Sequence, residues 1–474
     1  MAAIHAAADA APHLRRRSVA HALSLAFVWL AVASSAIVFT EPAPVDALVA
    51  GLLILLPVVG LMRFTPGLVA LFGGWLALGG LAFLATLGAE LPERAMVHAS
   101  VTVFLAFTFL LFAGFVMRNA HLHASLMMHA MVTAALIASI AALVGYFGLL
   151  PGAEELFTKF GRASATFKDP NVFGAFLVLP AAWLTHEIVT RPPARGLLLA
   201  PIVALIVIAV LLSFSRGAWL NLAIAIGIVS YLAFLTARTE WKRWYVVAMA
   251  LVAAVAALAV LGAASRIDKV EELLHSRAAL DQSYDMGPEG RFGGQAKAAQ
   301  LILDNPLGIG PQQFAPLHHI EEPHNVYLAL FLNSGWLGGF LFIALLLTTA
   351  FMGLAHCFRQ TSTQGIFIAT YATFLAHLVE GFVIDLDHWR HFFLIMAMIW
   401  GLILAEPVRL HRTGHGLPKP GPLPPYLGPS RPPRLLVPAA PKLVYALPPP
   451  RRERGREDSR PSRVAGRTFS HNRA

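Results

Sequence analysis

The sequence has few charged residues. Asp, Glu, Lys and Arg make up 13% of its 474 residues, and hydrophobic residues make up 57%. An average soluble domain is about 25% charged. A charge at the centre of a spanning helix costs about 2.5–3.5 kcal/mol on insertion scales, so a bilayer selects against it. The depletion therefore indicates an integral membrane protein.

Cysteine is almost absent as well. The single thiol, Cys357, excludes an intramolecular disulfide, zinc fingers and cysteine-ligated iron–sulfur centres. The formal net charge of +10 raises the question of nucleic-acid binding. The basic residues, however, lie in short loops between apolar segments and near the C-terminus. Membrane topology explains that distribution, so no nucleic-acid partner is expected.

Twelve apolar segments are candidates for spanning helices, which need about 20 mainly apolar residues. They are Val19–Phe39, Val45–Leu61, Gly67–Leu87, Val97–Met117, Met127–Leu149, Val172–Val189, Leu197–Leu212, Ala218–Leu235, Tyr245–Gly262, Val326–Ala350, Gly365–Ile384 and His391–Ala405. The sequence thus predicts an all-α, polytopic integral membrane protein with about twelve transmembrane helices. Arg15–Arg17 before the first segment also fit a signal peptide, but the apolar run is long for one and a retained anchor is preferred.

The distribution of Lys and Arg in the short loops predicts the orientation. Cytoplasmic loops carry an excess of these residues, which places the N-terminus in the cytoplasm and the two longest loops outside. The expected organisation is a cytoplasmic segment at 1–18, nine helices within 19–262, a large outer loop at 263–325 and three helices within 326–405. The Pro/Arg-rich remainder, 406–474, cannot bury a core, so we expect a disordered cytoplasmic tail.

The informative polar residues lie at the outer ends of the predicted spans. Arg216 lies in the tight hairpin Ser213–Ala218, where it fits either a snorkelling anchor or a bidentate phosphate ligand. The long loop begins with Arg266–Arg277, whose apolar residues follow helical spacing and predict an amphipathic surface helix. A short helix is expected at Gln295–Leu303, before the breaker-rich turn Asn305–Pro311.

Two further groups of ionisable residues follow. Histidines and carboxylates cluster before the tenth span, at His318, His319, Glu321, Glu322 and His324. These residues suit zinc, but HExxH spacing is missing, so one histidine acting as general acid or base is favoured over a metal. His377 and Glu380 share a face of the next span and are candidates for function. Asp385-Leu386-Asp387 resembles a metal-binding D-x-D pair, although a helix-end or pocket-lining role is preferred.

Four segments, in this order, resemble the O-antigen ligase and O-antigen polymerase-like membrane glycosyltransferases of bacteria. They are Gly161–Phe167 with Asp169–Asn171, Ser213–Ala218, Gly290-Arg291 leading to Asp304–Gly310, and His324–Leu328 leading to Gly335–Gly338. The resemblance covers roughly Phe160 to Leu345. It implies a helical fold of about twelve spans in the bacterial inner membrane, with a large periplasmic loop and both termini in the cytoplasm.

The resemblance also implies a reaction and its residues. Such enzymes transfer a glycan from an undecaprenyl diphosphate carrier to lipid A–core in a ligase, or to a saccharide repeat unit in a polymerase. By similarity, Arg216 and Arg291 bind the diphosphate and His324 is the catalytic residue. Arg162 and Asn325 are expected to be accessory substrate contacts. The resemblance implies no metal, nucleotide sugar or other cofactor, and direct displacement would invert the anomeric carbon.

The acceptor stays open, because the sequence departs from the family pattern after Arg291. Phe292–Gln295 stands where the family often has a tryptophan-containing helix. Ligase activity is the preferred interpretation, with an O-antigen or exopolysaccharide polymerase as the alternative. A transporter of polysaccharide or lipid-linked glycan would have the same composition, but it should carry ionisable residues along a midplane cavity. Only His377 and Glu380 fit that pattern.

Overall fold

A computed structural model describes residues 19–264, 266 and 287–405. The helices, in chain order, are α1 (Val19–Ala36), α2 (Pro44–Val59), α3 (Pro66–Ala85), α4 (Pro92–Arg118), α5 (Ala120–Tyr146), α6 (Ala153–Phe157), α7 (Pro170–Phe176), α8 (Val178–Thr190), α9 (Pro193–Leu212), α10 (Arg216–Thr236), α11 (Glu240–Ala264), α12 (Arg291–Asp304), α13 (Phe314–Leu317), α14 (Val326–Cys357), α15 (Gln364–Glu380) and α16 (Arg390–Ala405). Two short strands, β1 (Thr158–Lys159) and β2 (Arg162–Ala163), pair antiparallel between α6 and α7. The helical fold class is confirmed, and each of the twelve predicted apolar segments contains a helix.

The protein is a multi-pass membrane protein. Within the described residues, eight helical segments are long and apolar enough to cross a bilayer: α1, α3, α4, α5, α7 with α8, α9, α10 and α14. α2 and α16 are apolar but shorter, at 16 residues each. The count of twelve spans and the side of the membrane on which each loop lies therefore stay predictions.

Local sequence explains where many helices begin and which one lies inside the bundle. α2, α3, α4, α7 and α9 all begin with proline, whose fixed φ suits the first helical position. α16 is apolar on all sides, a pattern that is typical of a buried helix. Its residues from His391 to Leu402 are all buried, and it packs mainly against α4. α15 packs against α10 and α8, and α14 packs against α3.

α14 is interrupted at Gly335, where φ is 69° and ψ is −176°. A turn of the segment between α12 and α13 lies against this interruption. The backbone N–H of Trp336 donates to the carbonyl oxygen of Pro306 at 2.9 Å. A Cβ atom on Gly335 would lie 2.7 Å from the carbonyl carbon of Leu307, closer than side-chain carbons approach. Only glycine therefore fits both the backbone conformation and the space.

The same turn is bonded to α14 at a second point, and this fixes the position of α12. The N–H groups of Ile309 and Gly310 donate to the carbonyl oxygen of Leu332 at 2.9 and 3.1 Å. The indole N–H of Trp336 donates to the carbonyl oxygen of Ile302, near the end of α12, at 2.8 Å. α12, which begins at Arg291, is thus held alongside α14, which begins just after His324.

Some sequence-based predictions concern residues outside the described part of the chain. These are the segment 1–18, the tail 406–474 and, apart from Arg266, the amphipathic helix at Arg266–Arg277. The short helix predicted at Gln295–Leu303 is confirmed, because α12 contains it and begins four residues earlier. The remaining segment boundaries stay predictions.

Candidate active site

A cavity of about 910 Å³ opens among the helix ends that the sequence predicts to be external. Its walls come from the α1–α2 connection, the start of α4, the segment before α7, the loop before α14 and the α15–α16 connection. The charged residues on these walls carry both signs and include Glu41, Arg94, Lys168, Asp169, Asp385 and Arg390. A space of this size and mixed polarity suits a substrate with many hydroxyl groups and an anionic part.

His324 lies on the wall of this cavity, two residues before α14 begins. Its backbone has φ of 48°, which is uncommon for a residue with a side chain and is typical of functional positions. Nε2 of the imidazole lies 3.3 Å from Oε2 of Glu321, and Nδ1 lies 3.9 Å from Oδ2 of Asp385. The side chain is 29% exposed, so the ring lies between two carboxylates and still reaches the cavity.

Asp385 holds this turn through the main chain. Its two carboxylate oxygens accept the N–H of His324 at 3.2 Å and the N–H of Asn325 at 2.9 Å. A hydrogen bond is worth about 0.5–1.5 kcal/mol net, so the two together offset much of the roughly 1–3 kcal/mol cost of the left-handed backbone. Burial raises the pKa of Asp385 to about 8, and the neighbouring Asp387 and Glu322 act in the same direction, while the two N–H bonds oppose them.

Asn325 caps α14. Its side-chain oxygen accepts the N–H groups of Tyr327 at 3.1 Å and of Leu328 at 3.2 Å. Asparagine is among the preferred residues at this position, because it satisfies N–H groups that have no partner within the helix. The geometry gives Asn325 a structural role, and its predicted contact with substrate stays a prediction.

The imidazole of His324 is a base at neutral pH. Burial lowers the pKa of His324, and the positive charge of Arg291 lowers it further. The carboxylates of Glu321 and Asp169 act in the opposite direction but do not overcome these effects. The pKa of the ring therefore lies below the ordinary value of 6.5, and the neutral form that accepts a proton predominates at pH 7.

Arg291 is the first residue of α12 and lies within electrostatic reach of His324. One turn later, the side-chain amide of Gln295 donates to the carbonyl oxygens of His324 at 3.4 Å and Phe382 at 3.3 Å. α12 is therefore attached to the same wall that carries His324. Two of the residues predicted from the sequence are brought together, although 33 positions separate them in the chain.

Arg216 is likewise the first residue of its helix, α10. Ser215 caps that helix, its hydroxyl oxygen accepting the N–H of Ala218 at 3.2 Å. The adjacent Gly217 faces Glu380: a Cβ on this glycine would lie 3.1 Å from Oε1 of that carboxylate. Arg216 is half-buried, and the part of the cavity wall that the structure describes includes His324 but not Arg216.

Arg162 is buried and bonded to protein groups. Its Nε donates to the carbonyl oxygen of Ser213 at 2.8 Å, and one terminal nitrogen donates to Oδ1 of Asn171 at 2.7 Å. These bonds connect β2 with the α9–α10 hairpin and with the start of α7. The geometry favours a loop anchor for Arg162, and its predicted role as an accessory substrate contact stays a prediction.

Comparison with protein families bears directly on this group of residues. Residues 201–343 match the family model described as O-antigen ligase. This segment is O-antigen ligase-like. The matched segment contains Arg216, Arg291 and His324, and the predicted family resemblance is confirmed there. The chain matches no curated protein.

The O-antigen ligase-like segment also contributes to a buried polar group inside the bundle. The side-chain amide of Asn221 on α10 donates to Oε2 of Glu380 and lies 3.2 Å from Nδ1 of His377. All three side chains are buried. The sequence predicted that His377 and Glu380 share a helix face, but it did not indicate Asn221. A single asparagine in an apolar segment carries no spacing signal that would have identified it.

A second polar group missed from the sequence lies on the cavity wall at the start of α4. The rings of His98 and His388 stack with centroids 3.7 Å apart, and Nε2 of His98 lies 3.9 Å from Oδ2 of Asp387. The hydroxyl of Thr102 lies 2.9 Å from Nε2 of His388. Asp385 and Asp387 both line the cavity, which confirms the pocket-lining role preferred for that pair. His98 is far away in the chain, and no local pattern connects it with the pair.

Proposed function

We propose that this protein transfers a glycan from an undecaprenyl diphosphate carrier to a saccharide acceptor, as an O-antigen ligase does. The reaction would take place on the periplasmic face of the bacterial inner membrane, with both termini in the cytoplasm. One observation carries the proposal. His324 lies on a large cavity with charged residues on its walls, within electrostatic reach of Arg291, and both residues belong to the segment that matches the O-antigen ligase family.

His324 would act as the general base. Glu321 accepts a hydrogen bond from Nε2–H, which leaves the lone pair on Nδ1 for the proton of the acceptor hydroxyl. Nδ1 is 3.9 Å from Oδ2 of Asp385, too far for a direct hydrogen bond, so Asp385 does not occupy that lone pair. Once the ring is protonated, the carboxylate of Glu321 stabilises its positive charge.

The bond changes follow from this arrangement. The acceptor oxygen forms a bond to the anomeric carbon, and the bond from that carbon to the carrier diphosphate breaks with its electron pair going to the diphosphate. Arg216 and Arg291 would neutralise the departing anion. Each is the first residue of a helix, where the helix dipole also favours negative charge.

A single displacement of this kind proceeds without a catalytic metal and inverts the anomeric carbon. Analysis of the product linkage tests the stereochemistry, because a retained configuration would exclude a single displacement. The leaving group is already a good one, so stabilisation of its charge and removal of one proton are what the protein must supply.

Deletion of the gene in its host, with complementation, tests the function. We expect loss of long glycan from lipid A–core and accumulation of polymer on its carrier. Wild type should restore the glycan and His324→Ala should not. His121→Ala, a control at the exposed start of α5, should restore it. Unchanged surface and secreted glycans after deletion would exclude the proposed function.

A polymerase is the second candidate. The observation that favours it is the departure from the family pattern at Phe292–Gln295, because Gln295 contacts the carbonyl oxygen of His324. The proposal of a different acceptor rests on this departure. Lipid A–core capped by one repeat unit in the deletion strain, or loss of only a secreted polymer, would identify a polymerase.

A further inference from the structure

We propose that His98, Asp387 and His388 form a binding site for one divalent transition-metal ion, with Zn²⁺ the best match. One ligand atom from each residue can be chosen so that all three lie within 4.8 Å of one another. The site is separate from the atoms assigned to glycosyl transfer, and the proposal does not depend on that function.

The ligand set matches the chemistry of zinc. Two imidazoles and one carboxylate are a common three-residue set, with a fourth position for water or another ligand. All three residues line the large cavity, which leaves that fourth position accessible. Ligand atoms of a tetrahedral zinc site lie about 3.3 Å apart, given bonds of roughly 2.0–2.1 Å. Nε2 of His98 lies 3.9 Å from Oδ2 of Asp387, and the stacked rings of His98 and His388 must separate for both imidazoles to bind one ion.

The surroundings also favour a cation. The hydroxyl of Thr102 fixes the ring of His388 through its Nε2, as a hydrogen-bond partner of a metal-binding histidine usually does. Glu322 and Asp385 lie on the same wall as Asp387, and each of the three lies in the field of the others. A divalent cation would balance this concentration of acidic side chains.

Arg390, which lines the same cavity, forms ion pairs with other carboxylates. Nε and a terminal nitrogen of Arg390 donate to the two carboxylate oxygens of Asp46 at 2.6 and 2.7 Å. A further nitrogen of Arg390 lies 3.8 Å from Oε1 of Glu41. Arg390 thus pairs with carboxylates on and before α2, although its positive charge also acts on His388. The metal would join α4 to the segment that carries Asp385, the residue that holds the His324 turn.

Zinc binding by the full-length protein in detergent, with any affinity tag removed, tests the site. After EDTA treatment and dialysis, titration with Zn²⁺ should show one ion per chain by calorimetry and by elemental analysis. Asp387→Asn and His98→Ala should each weaken binding by more than about 100-fold. Thr102→Val, which removes only an outer partner, should weaken it by about 10–100-fold. His121→Ala, at an exposed histidine on α5, should bind as wild type does.

Substitution with Co²⁺ gives a readout that folding alone does not produce. Tetrahedral nitrogen and oxygen ligation should give visible absorption bands in wild type that Asp387→Asn lacks. Size-exclusion elution of each variant as a single species shows that it is folded. Less than half an equivalent of Zn²⁺ bound to wild type would overturn the proposal. Equal binding by wild type and Asp387→Asn would overturn it too, as would equal affinity for Mg²⁺, which prefers oxygen ligands.

Discussion

Gly335→Ala should release the turn at residues 305–310 from α14. Alanine at φ of 69° and ψ of −176° is strained by about 1–3 kcal/mol. Its Cβ would also lie 2.7 Å from the carbonyl carbon of Leu307, and such overpacking typically costs another 1–3 kcal/mol. The two terms together destabilise the contact between the turn and α14 by about 2–6 kcal/mol.

The turn has a cheaper way to relieve that strain, which is to leave α14. Undocking breaks the bonds from Trp336 to Pro306 and from Ile309 and Gly310 to Leu332. Each is worth about 0.5–1.5 kcal/mol, so the three together hold the turn by about 1.5–4.5 kcal/mol. Because the energy of these three bonds is comparable with the strain in the Gly335→Ala variant, the variant should populate the undocked state. Undocking removes the steric part of the strain, about 1–3 kcal/mol, and each 1.4 kcal/mol is a factor of ten, so the turn should open roughly 5- to 150-fold more often.

Hydrogen exchange of the protein in detergent micelles, read by mass spectrometry, measures this opening. Peptides covering residues 305–312 should exchange faster in Gly335→Ala by that factor, and glycan transfer should fall because α12 and Arg291 lose their position. Gly80→Ala is the matched control, since a Cβ at that helical glycine of α3 meets no atom within 4 Å. Equal exchange and equal activity in the two variants would refute this role for Gly335.

Three further variants test other contacts of the site. Asp385→Asn leaves one backbone N–H of the His324 turn without its acceptor, which costs about 1–3 kcal/mol, so the transfer rate should fall roughly 5- to 150-fold. Arg291→Gln removes a positive charge that lowers the pKa of His324, so the acidic limb of the pH profile of kcat/KM should move to higher pH. Arg162→Lys cannot reproduce the bonds to both Ser213 and Asn171, so it should destabilise the protein by about 1–3 kcal/mol and leave the KM for the acceptor unchanged.

Each of these results has a clear opposite. A wild-type rate in Asp385→Asn would mean that the two backbone bonds do not position His324. An acidic limb that stays in place, or moves to lower pH, in Arg291→Gln would separate Arg291 from the titration of His324. A raised KM with unchanged stability in Arg162→Lys would restore the substrate contact that the sequence predicted for Arg162.

The helices could be predicted because the length of an apolar segment and the position of a proline are visible in the local sequence. Twelve apolar segments identify the helical regions, and α12 was expected from its own spacing. The break in α14 was not predicted, because Gly335 lies in an apolar segment that has the pattern of one continuous helix. Only the contact with residues 306–310, which are close in space through loop closure, reveals why a glycine stands there.

The candidate site was predictable only in part, because local segments identify some of its residues and tertiary packing brings in the others. Arg291 and His324 were identified through family-like segments, and the structure brings them together through the docked turn. His98 and Thr102 on α4 meet His388 only through tertiary packing, so no spacing in the sequence connects them. Arg162 shows that residue type alone does not fix a role, because an arginine suited to phosphate is equally suited to bonding a carbonyl and an amide.

The central claim is that His324 removes the proton from the acceptor hydroxyl during glycan transfer. Its most direct test is a single-turnover assay with purified protein, a synthetic undecaprenyl diphosphate glycan and a saccharide acceptor. General base catalysis typically contributes 10²–10⁴-fold, so His324→Ala should lower the transfer rate by about that factor while His121→Ala does not. A His324→Ala protein that transfers glycan at the wild-type rate would contradict the account.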